Sequence, residues 1–532
     1  MIGFIWRLLV SSILLALVIT SPVQAADRIT FWFGSAQRSL SLNSLELYAT
    51  QVYVTPELEF YLNQLTKAQQ QQLQTLLQQR LEVSPIAISQ VTYSAIGEAL
   101  LQQAGNVIQT DTRQNGFQAL RAALLLAASD PDGLTAINTL RQFPGQSIHV
   151  DLDQAFNLAT TLDQSKTQSK AIAAIQKTAA REANQTRINF AQQPDLRQPG
   201  DSAWQRQTQT IYDASRDRSV TFDLYLPPTQ FTELSQPLPV LFLLHGAAED
   251  RQTFTYLAQH LASHGFAIVV PENSGNSSQR FRQFLQGQAE QPDVLELINQ
   301  PLDVTFLLNQ FQQQAKTEPG LQGLNWQQVG VIGHSQGGYA ALTLAGAPIE
   351  VDRLRQTCQQ PKNVGISQVI QCQLLQLPAF RSNLHDPRVQ AVIAVNPAIS
   401  QLLGQSGLSQ IQVPVMMVSG SADLIAPTIS EQIDPFTWLT TPEKYLALIE
   451  NGTHFSVLAA GSLERIGLPI PADLIGSEPT IAQSYLKALS TAFFQTYLAH
   501  NSEAKSYLNA AYGRYLSQPQ LKLSIVRSIP HL

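Results

Sequence analysis

The sequence predicts an α/β protein: a mostly parallel sheet flanked by helices, preceded by a helical domain. Three observations carry that expectation. From residue 206 onward, short apolar runs alternate with helical stretches, which is the pattern of βαβ units. Residues 327–346 (QQVGVIGHSQGGYAALTLAG) read as a buried strand, a glycine-rich turn and a helix. Before residue 186, helix-start signals and apolar stripes at helical spacing dominate instead.

The chain of 532 residues is long enough for two or three domains, and 44% hydrophobic content is ordinary for a globular protein. A net charge of −6, with basic residues scattered along the chain, argues against nucleic acid as a partner. Residues 1–25 form a targeting segment: Arg7, an apolar run over 8–19, and small residues ending at Ala25. That run is shorter than the ~20 residues of a spanning helix, so cleavage after Ala25 and export to the periplasm or beyond are expected. Retention as an uncleaved anchor is the alternative. Cys358 and Cys372 fit that compartment as a structural disulfide.

Residues 26–186 are expected to form a helical accessory domain. Thr66 to Gln69 has the form of a capping box, and Thr55-Pro56 marks another helix start. Leu73, Leu76, Leu77 and Leu81 make one stripe; Ile96, Leu100, Ala104 and Val107 a second; Phe117, Leu120, Leu124 and Leu125 a third. This region offers no acid–base pair, metal spacing or phosphate loop, and its partner is unknown. Residues 187–205 are polar, with Pro194, Pro199 and Gly200, and read as a linker into a catalytic domain over 206–532. Strands are expected at 220–226, 240–244, 266–270, 389–395 and 413–418, with another apolar run at 445–449.

Within 333–337 the pattern is Gly-His-Ser-Gln-Gly, and its strand–turn–helix setting is what a nucleophile elbow requires. Glycine on both sides lets Ser335 take a strained backbone clear of the sheet. The Gln336 N–H then lies at a helix N-terminus and suits an oxyanion. An acid and a histidine should follow in that order. Asp423 comes directly after the strand at 413–418, in Ser-Gly-Ser-Ala-Asp. Among the later histidines, His454 lies in the turn Asn-Gly-Thr-His-Phe behind an apolar run, whereas His500 and His531 have surface positions. Ser335 would attack, His454 would shuttle the proton and Asp423 would orient the ring. His245-Gly246 after the strand at 240–244 offers Ala247 N–H as a second oxyanion donor. His245 and His334 read as packing or hydrogen-bonding residues. Asp303 is a poorer reserve acid because it precedes Ser335.

HGAA after a strand, GHSQGG, GSADLIAP and NGTHF together resemble the α/β-hydrolase superfamily. With SHGFAIVVPE (263–272) and PLDVTFLL (301–308), they are similar to the platelet-activating-factor acetylhydrolase and dienelactone-hydrolase-like esterases of bacteria. The resemblance covers about 300 residues and implies a serine esterase without a metal or cofactor. Dienelactone hydrolases proper use cysteine where this chain has Ser335, which weakens a lactone reading. The helical region looks like a domain of unknown function found before such hydrolases. In that superfamily, insertions commonly cap the pocket. Residues 347–388, with both cysteines and Leu374, Leu375, Leu377, Pro378 and Phe380, read as a cap suited to an acyl chain or as plain packing. The expected substrate is a carboxylic ester, with lipid and acetyl esters among the candidates and peripheral membrane contact left open. Two alternatives remain: a cutinase-like hydrolase of bulky esters, or a binding protein on a hydrolase scaffold.

Overall fold

The computed structural model describes residues 25–156, 165–227, 237–359, 365–467, 472–476 and 478–529. The expected targeting segment, apart from Ala25, and His531 lie outside the described residues. The chain divides into two compact units, Met1–Leu162 and Asp163–Leu532.

The first unit holds a four-stranded sheet as well as helices, where a mostly helical region was expected. β1 (Arg28–Phe33) and β2 (Ala36–Ser41) form a hairpin. A two-residue pair, β3 (Arg80–Leu81) and β5 (Leu134–Thr135), lies apart from that sheet. β4 (Ile108–Gln109) and β6 (Ser147–Asp151) complete it in the order β2-β1-β6-β4. These strands are short and half-exposed, so they carry no long alternating pattern in the sequence. The helix starts hold: Thr55 caps Pro56–Leu62, and Thr66 with Gln69 forms a capping box on Lys67–Gln78.

The apolar stripes are corrected in detail. Leu76 and Leu100 are exposed, at 58% and 40%. The buried face of Ala95–Val107 is Gly97, Leu101 and Gly105, and that of Phe117–Ser129 is Ala119, Arg121, Ala123 and Ala127. A Cβ on Gly97 would lie 1.9 Å from Val91 O, and one on Gly105 2.5 Å from Phe117 N. At Gly97 and Gly105 the backbones approach too closely for a side chain, so most of these buried positions are small and escape a search for large apolar residues.

The second unit is a nine-stranded sheet. Its members are β7 (Gln205–Asp213), β8 (Arg218–Leu226), β9 (Leu238–Leu244), β10 (Ala267–Pro271), β11 (Leu324–His334), β12 (Val389–Val395), β13 (Val415–Gly420), β14 (Lys444–Ile449) and β15 (Leu523–Val526). The order is β15-β14-β13-β12-β11-β9-β10-β8-β7. β10, β9, β11, β12, β13 and β14 run parallel, while β8 pairs antiparallel with β10 and β15 with β14. β9 to β12 are almost wholly buried, as expected for a sheet covered on both faces. β7 is polar, exposed and at the edge, so it has no apolar rhythm to read.

Helices Thr255–Ser263 and Pro479–Tyr497 pack together, and Glu296–Gln314 packs on Gln336–Leu344. Ser165–Ala183 also packs within this unit: Ala171, Ile175 and Ala183 are buried, and Arg514 donates to Asn184 Oδ1 at 2.7 Å and to the Ala183 carbonyl. Residues 187–205, read as a linker, pack here as well. Phe190 is buried against Tyr507 and Tyr512, and Tyr507 Oη donates to the Pro194 carbonyl.

The order of strands reverses between β9 and β11: from β9 the chain goes to β10 on one side, then returns to β11 on the other. Loops at the C-terminal ends of these two strands diverge there and leave a crevice.

Candidate active site

Ser335 stands at the end of β11, on the crevice, and starts the helix Gln336–Leu344. Its backbone lies at φ 52°, ψ −115°, a conformation that costs a non-glycine residue ~1–3 kcal/mol. Two bonds hold it there: the Ser335 amide donates to Val395 O at 2.8 Å, and its carbonyl accepts from Tyr339 N at 3.0 Å. The flanking glycines are sterically required. A Cβ on Gly333 would sit 1.8 Å from Gly337 O, and one on Gly337 2.2 Å from Leu244 O. The first contact is strand against helix, the second helix against β9.

The loop after β9 carries Ala247. Gly246 N donates to Glu249 Oε2 at 2.8 Å, and Ala248, at φ 59°, donates its amide to Asn276 O at 2.9 Å. The amides of Ala247 and Gln336 have no acceptor among the described residues. The side chain of Gln336 pins the helix start, accepting from Asn276 Nδ2 at 2.6 Å and donating to Glu296 O at 3.2 Å. His245 is a peg for this loop. Its Nε2 accepts the Asn273 amide at 3.0 Å.

Asp423 follows β13 and is 5% exposed. Its Oδ1 accepts the amides of Ile425 and Ala426 at 2.9 and 2.7 Å, which leaves Oδ2 facing His454 Nδ1 at 2.7 Å. The backbones of the two loops are joined directly, Ala422 N donating to Gly452 O at 2.7 Å. Phe455 meets the His454 ring edge-on at 5.2 Å between centroids. Leu424, beside Asp423, is 68% exposed.

Two residues that the sequence reading passed over tie these loops together. Asn396, at φ 43° after β12, accepts the Gly420 amide at 2.9 Å and donates to the carbonyls of Thr453 and His454 at 3.2 and 3.1 Å. The signal was an Asn-Pro directly behind a strand, a break with a polar side chain at the sheet's C-terminal end. The second is Glu249, buried at 3%, whose Oε1 lies 2.6 Å from His334 Nδ1. His334 Nε2 in turn donates to His454 O at 2.9 Å. Burial pushes the Glu249 carboxyl up, but the His334 charge and hydrogen bond outweigh it and hold the group below its ordinary 4.5. Burial pushes His334 down, and Glu249 outweighs that, so the ring sits above its ordinary 6.5.

Other candidates lie apart from this arrangement. His500 is exposed, beyond the helix Pro479–Tyr497, and Asp303 is buried in ion pairs with Arg216 and Arg218 at 2.7 and 2.9 Å.

Residues 239–359 match the family described as alpha/beta hydrolase fold. The second unit has the α/β-hydrolase fold. Residues 25–151, within the first unit, match an alpha/beta hydrolase of unknown function (DUF1400). No curated protein matches the chain significantly. The hydrolase-fold match includes Ala247, Ser335 and Gln336 and ends before Asp423 and His454, so for those two the bond between their side chains is the argument. The insertion of this hydrolase fold is closed by a Cys358–Cys372 disulfide with Cα atoms 5.7 Å apart. It is fastened to the loop after β12. Gln371 Oε1 accepts the amides of Gln401 and Leu402, and buried Glu431 takes Ser367 Oγ and Gln371 Nε2 as well as the amides of Ile399 and Ser400. Of its expected apolar residues, Leu374 is fully buried and Pro378 is exposed.

Proposed function

We propose that this hydrolase is a serine esterase that cleaves carboxylic esters through Ser335, His454 and Asp423. The observation that carries the reading is the serine held at a strained strand–helix turn, at the same end of the sheet as a buried Asp–His pair. His454 Nε2 would take the Ser335 proton as Oγ attacks the ester carbonyl, and Asp423 would stabilise the imidazolium. The Ala247 and Gln336 amides, without acceptors of their own, would bind the oxyanion. Collapse of the tetrahedral intermediate releases the alcohol with the proton from His454. Water then hydrolyses the acyl-enzyme by the same route.

Exposed Leu424 and the ring of Phe455 flank the Asp–His pair and favour an apolar acyl group, such as that of a lipid ester. An acetyl ester of the kind that platelet-activating-factor acetylhydrolases take belongs to the same reading. Contact with a membrane surface would follow from a lipid substrate. The disulfide supports export into an oxidising compartment.

The test is fluorophosphonate labelling, followed by turnover of p-nitrophenyl esters of increasing chain length. Ser335→Ala should abolish labelling and lower kcat by about 10⁶. Labelling that persists in that variant rules the assignment out.

A further inference from the structure

We propose that the buried Glu249–His334 pair positions the oxyanion loop and the His454 loop against the Ser335 elbow. The inference rests on the serine-esterase reading and adds a role that the three catalytic residues do not account for.

The pair touches the loops of the oxyanion donor, the nucleophile and the base. Glu249 Oε2 holds the amide of Gly246, the residue before the Ala247 donor. Its Oε1 holds His334 Nδ1, on the residue before Ser335, and His334 Nε2 holds the carbonyl of His454 itself. Glu249 is fixed from behind as well, its carbonyl accepting the Ser278 amide at 2.7 Å. At Gly246 there is no slack: a Cβ would lie 2.7 Å from Glu249 Oε1 and 3.1 Å from Ser335 Cβ.

Nδ1 of His334 faces Glu249 and Nε2 faces the His454 carbonyl. With the Glu249 carboxyl held below and the His334 ring above their ordinary values, both nitrogens carry hydrogen and the ring is an imidazolium paired with a carboxylate. The groups around it are the His454 ring at 4.8 Å and the Phe254 ring at 5.9 Å between centroids, with the Asp423 carboxylate and His245 further off. A buried ion pair adds little net stability over an apolar pair of the same size. It does supply direction, three short bonds that set the spacing of three loops. Those loops carry the donor, the nucleophile and the base, so a shift in any one is felt in the transition state rather than in substrate binding.

The experiment compares Glu249→Ala, Glu249→Asp and Glu249→Gln with p-nitrophenyl butyrate, with kcat normalised to serines titrated by fluorophosphonate. Normalisation removes any loss due to unfolded protein, and Asp keeps the charge if the alanine variant does not fold. Ala breaks the bridge, and Asp is one methylene too short to span Gly246 N and His334. Both should lose about 10- to 100-fold in kcat per titrated serine, with KM changed less than about threefold. Gln can rebuild the bridge in neutral form, Oε1 accepting from Gly246 and Nε2 donating to an unprotonated His334 Nδ1, and should keep kcat near wild type. A role in charge pairing alone predicts the reverse order, Asp active and Gln impaired. Histidine ¹H–¹⁵N spectra should show His334 protonated on both nitrogens in the wild type and neutral in Glu249→Gln. Wild-type kcat per titrated serine in the Ala and Asp variants, or a neutral His334 ring in the native protein, overturns the proposal. Ser335→Ala run alongside separates the two readings. If it still labels, the serine assignment fails. If it is dead while the Ala and Asp variants are normal, only the bridge fails.

Discussion

Oδ2 of Asp423 lies 2.7 Å from Nδ1 of His454, while Oδ1 is held by two backbone amides. The carboxylate cannot turn without giving up those amides, so it dictates which ring nitrogen carries the hydrogen. In Asp423→Asn the amide oxygen would stay with the backbone, and the NH₂ would face Nδ1. The ring would flip its tautomer and present a hydrogen, not a lone pair, to Ser335. kcat should fall by about 10⁴, the size of the same exchange in a Ser-His-Asp protease. His454→Ala should be similarly damaging, and His500→Ala should leave turnover of p-nitrophenyl esters unchanged.

The backbone of Ser335 predicts a trade between activity and stability. At φ 52°, ψ −115° the residue is strained, and glycine would relieve ~1–3 kcal/mol against a loss of ~0.5–1 kcal/mol in unfolded-chain entropy. Ser335→Gly should therefore be inactive yet melt higher than the wild type by calorimetry.

The Glu249–His334 pair gives stability a defined pH window. His334 sits above its ordinary 6.5, so its contribution is full below that value and is lost as pH rises through the raised one. Glu249 sits below its ordinary 4.5, so its contribution is full above that value and is lost as pH falls through the lowered one. Both are complete between about 4.5 and 6.5. Denaturant midpoints of a Glu249→Gln/His334→Gln double variant, which lacks both titrating groups, subtracted from wild type across pH 4–9, should show a plateau there and decline on both sides.

The Cys358–Cys372 bridge closes a loop of sequence separation 14. Replacing both cysteines with serine should lower stability by about 3 kcal/mol in urea unfolding, by the loop-closure argument. Reduction with dithiothreitol should reproduce that loss.

Much of the second unit was readable because its strands are buried on both faces and stand out as unbroken apolar runs. The run at 389–395 coincides with β12, and those at 240–244 and 266–270 fall within a residue or two of β9 and β10. Ser335, Asp423 and His454 could be named as candidates because each follows such a run. β7 and β15 were not, one being polar on both faces and the other only four residues long. Asn396 holds backbone groups, and Glu249 a histidine ring, that lie far away in sequence, a relation that no local pattern encodes. The small-residue seams of the first unit escaped for a related reason: close packing there replaces bulk with glycine and alanine.

β15 has one more consequence, for what happens when the chain is incomplete. It pairs antiparallel with β14, Leu523 opposite Ile449 and Val526 opposite Leu446, and so covers the row of peptide groups on that side of the sheet. A chain cut before residue 523 would keep Ser335, Asp423 and His454 but expose β14 as an apolar, unpaired rim, a ready template for strands of neighbouring molecules. C-terminal trimming by a protease would then show itself first as self-association, with chemical incompetence only a secondary result.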